Sequence, residues 1–161
     1  MSSANENWTR WIFASVANHV KVLAATENLP MIVNGLDAPD ATYMKAAHRA
    51  ETRITGPSSQ ELSHNWFRLE VDVGILFSSR LGVDRYAVLK HIGAFQSSMD
   101  SNIPVYKYGG EVGDDDSLLG CLTPRTGLNN AVRVLHFGQP SPNEEFNQSL
   151  VDVRYVMEIS E

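Results

Sequence analysis

Residues able to perform chemistry are present in this chain, but their spacing assembles none of the usual sites. Five histidines stand apart at His19, His48, His64, His91 and His136. Zinc needs three or four ligands converging at fixed distances, and neither an i,i+4 pair nor a His-Glu-x-x-His run supplies them. His136 falls in an expected strand and reads as a satisfied core or edge histidine. His19 and His91 read as solvated on polar helix faces. Asp114, Asp115 and Asp116 would offer oxygens to a hard cation on one turn. A calcium loop of the EF-hand kind also needs spaced acids and a closing bidentate Glu, which are absent. These three carboxylates are expected in an exposed turn, where they remain candidates for contacting a partner. Gly109-Gly110 with Gly113 lacks the Gly-Lys-Ser/Thr of a phosphate loop, and no Gly-x-Ser-x-Gly elbow occurs. Glu144 and Glu145 are adjacent, so they seldom point into one pocket as an acid–base pair would. Cys121, the single cysteine, has no partner for a disulfide and reads as a small buried hydrophobe among Leu118, Leu119 and Leu122. The expectation is no catalytic residue, no metal and no cofactor.

The elements that would have to position such groups are clearer. Phe67, Leu69, Val71, Val73, Ile75 and Phe77 alternate with Arg68, Glu70 and Asp72. Val151, Val153, Tyr155, Met157 and Ile159 alternate with Asp152, Arg154 and Glu158. A period of two puts one face of each strand in a core and the other in water, which suits an antiparallel sheet with helices on one side. Residues 8–26 carry Trp8, Ile12, Val16, Val20 and Leu23 on one helical stripe, with Asn5 or Asn7 as cap and Pro30 beyond the end. A second helix starts at Asp84 and buries Val88, Ile92, Phe95 and Met99. Shorter strands are expected at 31–33, 48–55, 103–108, 118–122 and 131–137. Gly56-Pro57-Ser58-Ser59 breaks the chain, and the stretch to Asn65 reads as a polar loop. The order of helix, strands, helix, strands gives an α+β fold, mainly antiparallel with long strands and flanked by two helices, as one domain over 1–161.

Composition narrows the classes of function. The chain has 161 residues, 43% of them hydrophobic and 20% charged, as in ordinary globular proteins. A net charge of −6 with no basic stripe argues against a general affinity for nucleic acid or anionic membranes. The run Trp11–Ala25 is broken by Asn18, His19 and Lys21, so it reads as neither signal peptide nor membrane span.

Several phrases in a fixed order resemble the small tail-terminator and tail-completion proteins of tailed bacteriophages. They are Arg53-Ile54-Thr55-Gly56-Pro57, the strand Trp66–Phe77, Ile92-Gly93 in a helix and Val105-Tyr106-Lys107-Tyr108-Gly109. After these come Leu119-Gly120-Cys121-Leu122, His136-Phe137-Gly138-Gln139 and the terminal run 148–155. The resemblance implies a non-enzymatic virion protein at the neck–tail junction. It would form a homo-hexameric ring at the head-proximal end of the tail, terminating the tail tube and joining it to the neck or connector protein. Assembly would occur in the host cytoplasm, with DNA only as passing cargo and no membrane. A head–tail adaptor or stopper of the neck is the alternative, and a small α+β enzyme or a monomeric peptide-binding module would be the rivals from other classes.

A ring closes by heterologous contacts, so one patch must meet a different patch on the next copy. The expected material is the loop with Pro57, Ser58, Ser59, Gln60 and Glu61, together with Asp114, Asp115 and Asp116. Finally, opposite charges choose a register. Setting Arg68 against Glu158 and Asp72 against Arg154 makes two attractive pairs, while sliding by two residues opposes Asp72 to Asp152.

Overall fold

The computed structural model describes residues 3–107, 118–125 and 132–160. Three helices and seven strands follow one another as α1 (Ser3–Thr26), β1 (Met31–Val33), α2 (Ala41–Lys45), β2 (His48–Ser63), β3 (Trp66–Arg80) and α3 (Arg85–Met99). Then come β4 (Ile103–Tyr106), β5 (Leu118–Pro124), β6 (Val132–Gly138) and β7 (Phe146–Ser160). The sheet runs β1-β2-β3-β7-β5-β4, and β6 pairs with β7 on the same side as β5. The fold is α+β, as expected. The sheet is mixed, because β1 lies parallel to β2 while the other ladders are antiparallel.

The two long alternating runs become the central ladder. Residues of β3 and β7 pair without interruption from Trp66↔Ser160 to Arg80↔Phe146, and Arg68↔Glu158 and Asp72↔Arg154 stand opposite each other as charge pairing predicts. Leu69, Val71, Val73, Ile75 and Phe77 point to one face with Val151, Val153, Tyr155 and Met157, all buried. Against them lies the stripe Trp8, Ile12, Val16 and Val20 of α1, in one continuous core. Trp8 meets Phe67 edge-on at 5.3 Å, and Phe77 meets Phe95 of α3 at 5.2 Å. Tyr155 is buried too, and its hydroxyl donates to the Met99 carbonyl at 2.7 Å, closing the end of α3 over the sheet.

The helix ends have local causes. Asp84 caps α3 by accepting from Tyr86 N–H at 2.9 Å. Asn5 and Asn7, expected as caps, lie inside α1, which starts earlier than its apolar stripe. Its far end closes at Asn28, with φ 53°, while Leu29 N–H donates to Ala24 and Asn28 N–H to Ala25. That is a Schellman motif with buried Leu29 as its apolar contact, and Pro30 follows it. The five-residue α2 is a third helix beyond the two expected, capped by Asp40.

The polar loop expected at Gly56–Asn65 is a strand. β2 continues to Ser63 alongside β3, and only His64-Asn65 make the turn, with Asn65 at φ 59°. Gly56 and Pro57 sit in the register shift between Thr55 and Ser58, a bulge that absorbs both turn-forming residues without ending the ladder. Gly56 adopts φ 110°, and a side chain there would meet the Glu70 carbonyl at 2.9 Å.

Candidate assembly interface

From Arg53 to Arg68 no residue is fully buried, so the outer half of β2 is an exposed arm along the edge of the sheet, paired with β3 throughout, with Ile54 and Phe67 still packed against the core. Pro57, Ser58, Ser59, Gln60 and Glu61 are brought together on it. β1 accompanies β2 only at Ala50–Thr52, so beyond Thr52 no described strand covers the outer edge of β2. An open edge offers unpaired N–H and C=O groups to another chain. Polar side chains and the bulge at Gly56-Pro57 limit indiscriminate pairing there.

The tip of the arm carries two residues that polarity alone would not place there. Leu62 is 42% exposed and Trp66 is 44% exposed. Leu62 occupies the second register shift, between Glu61 and Ser63, and Trp66 pairs with Ser160. Sequence reasoning passed over both. The available signal was parity: Trp66 belongs with Arg68, Glu70 and Asp72, on the face that should be wet. Exposed Trp beside an open strand edge is characteristic of contact surfaces, where it is enriched.

The sheet face opposite the helices is knitted by charge. Arg68 lies 3.0 Å from Glu158, Arg154 2.8 Å from Asp72, Arg133 2.8 Å from Asp152, Arg125 3.5 Å from Glu70 and Arg53 3.5 Å from Glu51. These five arginines are each paired with an acid, whereas Arg49 at the end of the same face stacks on Tyr43 and Phe146, so among the described residues the middle of this face gathers no cluster of unpaired positive charge to hold phosphates. Gly74 lacks a side chain and floors a shallow depression of about 300 Å³ between Arg53, Asp72 and Asp152. Cys121 opens onto this same face and is exposed, against the expectation of burial. Strand parity explains the error, since Leu122 takes the inward position and is buried.

Two histidines also differ from expectation. His91 is half-buried with Nδ1 3.2 Å from Glu27, joining α3 to the end of α1. His19 lines a groove of about 430 Å³ between α1 and β4. Its Nε2 is buried without a hydrogen-bond partner, and burial pushes its pKa down. Helix faces that look polar in sequence are covered here, His91 by the end of α1 and His19 by β4. His136, on β6, shares a 2.8 Å hydrogen bond with Ser149, as an edge histidine would.

The arrangement nearest to a catalytic pair is Ser79 with His48, whose Oγ and Nδ1 lie 2.9 Å apart. Ser79 is 1% exposed, so a substrate cannot reach its oxygen. The pair ties β2 to β3. His48 is held below the usual imidazole range by burial and then by His91, with Asp84 opposing. Glu145 pairs with Arg80 at 3.3 Å and stands on the surface, so Glu144-Glu145 forms no enclosed acid–base site. Among the described residues no group of three or more His, Cys, Asp or Glu could hold a metal ion, and no helix is long and apolar enough to cross a membrane. Asp114, Asp115 and Asp116 lie outside the described residues.

No protein-family model matches this chain, and no curated protein does. One solved structure superposes with a TM-score of 0.56 over 95% of this chain and 96% of its own, at 12% identity. At that identity the likeness shows a shared fold and nothing more.

Proposed function

We propose that this chain is a non-enzymatic structural protein of a phage virion, a tail terminator whose copies form a hexameric ring at the head-proximal end of the tail. The resemblance in the order of its sequence phrases suggests the class. The observation that carries the reading is the outer edge of β2 beyond Thr52, exposed and uncovered by any described strand, which ends beside exposed Leu62 and Trp66. An open strand edge with two uncovered apolar side chains at its end suits a subunit that pairs with or packs against a neighbour. The wet sheet face agrees, since neutralised arginines would not retard DNA passing nearby. In this role the tail tube protein and the neck or connector protein are the further partners.

Light scattering and negative-stain microscopy of the purified protein test the reading. A ring with the mass of six chains is expected, and its addition to tubes lacking the protein should cap them at one end. A monomer at every concentration would defeat it. Rings that bind the neck but never the tube would move the protein to the adaptor position.

A further inference from the structure

We propose that Arg49 and Arg80, held on the ring of Phe146 at one end of the sheet, grip carboxylates of the acidic run Asp114–Asp116 of the next copy. This inference rests on the ring reading above and names a contact that makes the ring.

The arginine site is ordered before anything binds. The Arg49 guanidinium lies 4.2 Å from the centre of the Phe146 ring and 5.0 Å from that of Tyr43, and Arg80 lies 4.9 Å from the same Phe146 ring. Arg80 also donates to the Met44 carbonyl at 2.7 Å. Stacking and the backbone bond fix both long side chains, so little further rotamer freedom is lost when an anion arrives. Among the described residues, the other arginines of the strands, Arg53, Arg68, Arg80, Arg133 and Arg154, each lie within ion-pair distance of an acid. Arg49 does not. Its polar contact is the Met44 sulfur at 3.8 Å, a weak acceptor for a group with five donors. The acid on Arg80 is Glu145, whose side chain is 77% exposed and which meets one guanidinium nitrogen at 3.3 Å. Rings cover the faces of a guanidinium and leave its edge, where the N–H groups point, and a carboxylate meets that edge with two oxygens.

Charge and reach identify the occupant. Asp114, Asp115 and Asp116 are consecutive, and no Lys, Arg or His occurs from residue 108 to residue 124 to neutralise them. Adjacent carboxylates repel one another, and a pair of guanidinium groups relieves the repulsion. The run cannot reach the arginines of its own chain. Arg49 pairs with Ser78, and Ser78 with Gln148, towards one end of the sheet. β5 meets β7 at Thr123↔Val156, and from there Leu118 lies towards the opposite end. Eight residues of β7 and five of β5 separate the two levels, roughly 43 Å at about 3.3 Å per residue. Asp114 is four residues from Leu118, a reach of at most about 14 Å. The two patches therefore meet between copies. Unlike patches at opposite ends make a head-to-tail contact, which generates rings when the rotation closes.

The test places one cysteine beside each patch, Met44→Cys with Ser117→Cys, in a full-length Cys121→Ser background. Oxidation of the double variant should give covalent multimers up to the closed ring. A mixture of the two single variants should give dimers only. Asp114→Asn, Asp115→Asn and Asp116→Asn together should raise the concentration for half-assembly at least tenfold and remove most of its salt dependence, while the diluted subunit keeps its melting curve. Arg49→Lys, which keeps the charge and loses the planar fork, should fall between wild type and the triple variant. Normal assembly of the triple variant, or a disulfide formed within single chains, would overturn the contact and leave the ring reading standing. So would binding of double-stranded DNA that Arg49→Lys weakens with assembly untouched, since the ligand would then be phosphate. A wild-type protein that never assembles would overturn both.

Discussion

Arg154 grips Asp72 across the central ladder, its Nε 2.8 Å from one carboxylate oxygen and a second guanidinium nitrogen 3.4 Å from the other. Two residues eighty-two positions apart in sequence thereby hold β3 and β7 in one register. Reversing one charge, as in Arg154→Asp, should lower the melting temperature, and the swapped pair Asp72→Arg with Arg154→Asp should recover most of the loss. The pair is solvent-facing, so the coupling should shrink in molar salt. A double-mutant cycle at low and high salt measures it.

Ile75 is fully buried between β2 and β7 on the core face. Replacing it with alanine removes its packing and leaves a cavity, at a cost of about 2–5 kcal/mol in urea unfolding. Val73→Ala should cost less, because fewer atoms are lost.

Gly56→Ala should destabilise by about 1–3 kcal/mol, since the positive φ and the nearby Glu70 carbonyl both oppose a side chain. Chemical denaturation measures this. A loss within a few tenths would mean that the bulge can reshape around the added methyl.

Stability should fall as pH drops through the imidazole range. His19 and His48 both have pKa values depressed by burial, so the native state binds protons less readily than the unfolded chain, whose histidines titrate near about 6.5. Their contribution is complete above that value and is lost progressively below it. Urea midpoints between pH 8 and pH 5 follow the loss, and His48→Gln should flatten part of it. A second decline belongs at lower pH. The Val33 N–H and the Lys21 ammonium hold the Asp37 pKa down, so the stability it supplies persists above about 3.9 and goes as pH falls through the native value.

Deleting Ser58–Glu61 removes four exposed residues from the arm and none from the core. Because these residues pair with Phe67–Glu70 of β3, melting should fall by a few degrees with the core still folded, whereas ring formation and tail joining should fail. Infectious particles bearing the deletion would show that the arm is dispensable.

The long strands were legible because burial of a single face imposes strict alternation, and charge then selected their register. The stripe of α3 was legible for a related reason, since Val88, Ile92, Phe95 and Met99 face one core. The outer half of β2 was not. Both its faces meet water, so no alternation marks it, and Gly56-Pro57 looks like an interruption when the bulge is not known. The parallel pairing of β1 and the brevity of α2 depend on long-range packing that three to five residues cannot encode. Cys121 was misplaced because its apolar neighbours suggested burial while parity, readable only with strand bounds in hand, put it outside. The exposure of Ser58–Glu61 was legible from their polarity, but that of Leu62 and Trp66 was hidden by their resemblance to core residues.

β7 runs between β3 on one side and β5 and β6 on the other, although it follows them all in the described sequence. Local contacts can build α1, the β2–β3 hairpin and α3, but the sheet lacks its middle until β7 enters it. The ladder that then forms joins Trp66 to Ser160, a contact of very long sequence separation and therefore slow to close. Until closure the inner edge of β3 is bare and able to pair with the wrong strand. Completion of the sheet is thus the slow event of folding, governed by the separation of β3 from β7, and shortening the β6–β7 connection should not abolish the delay.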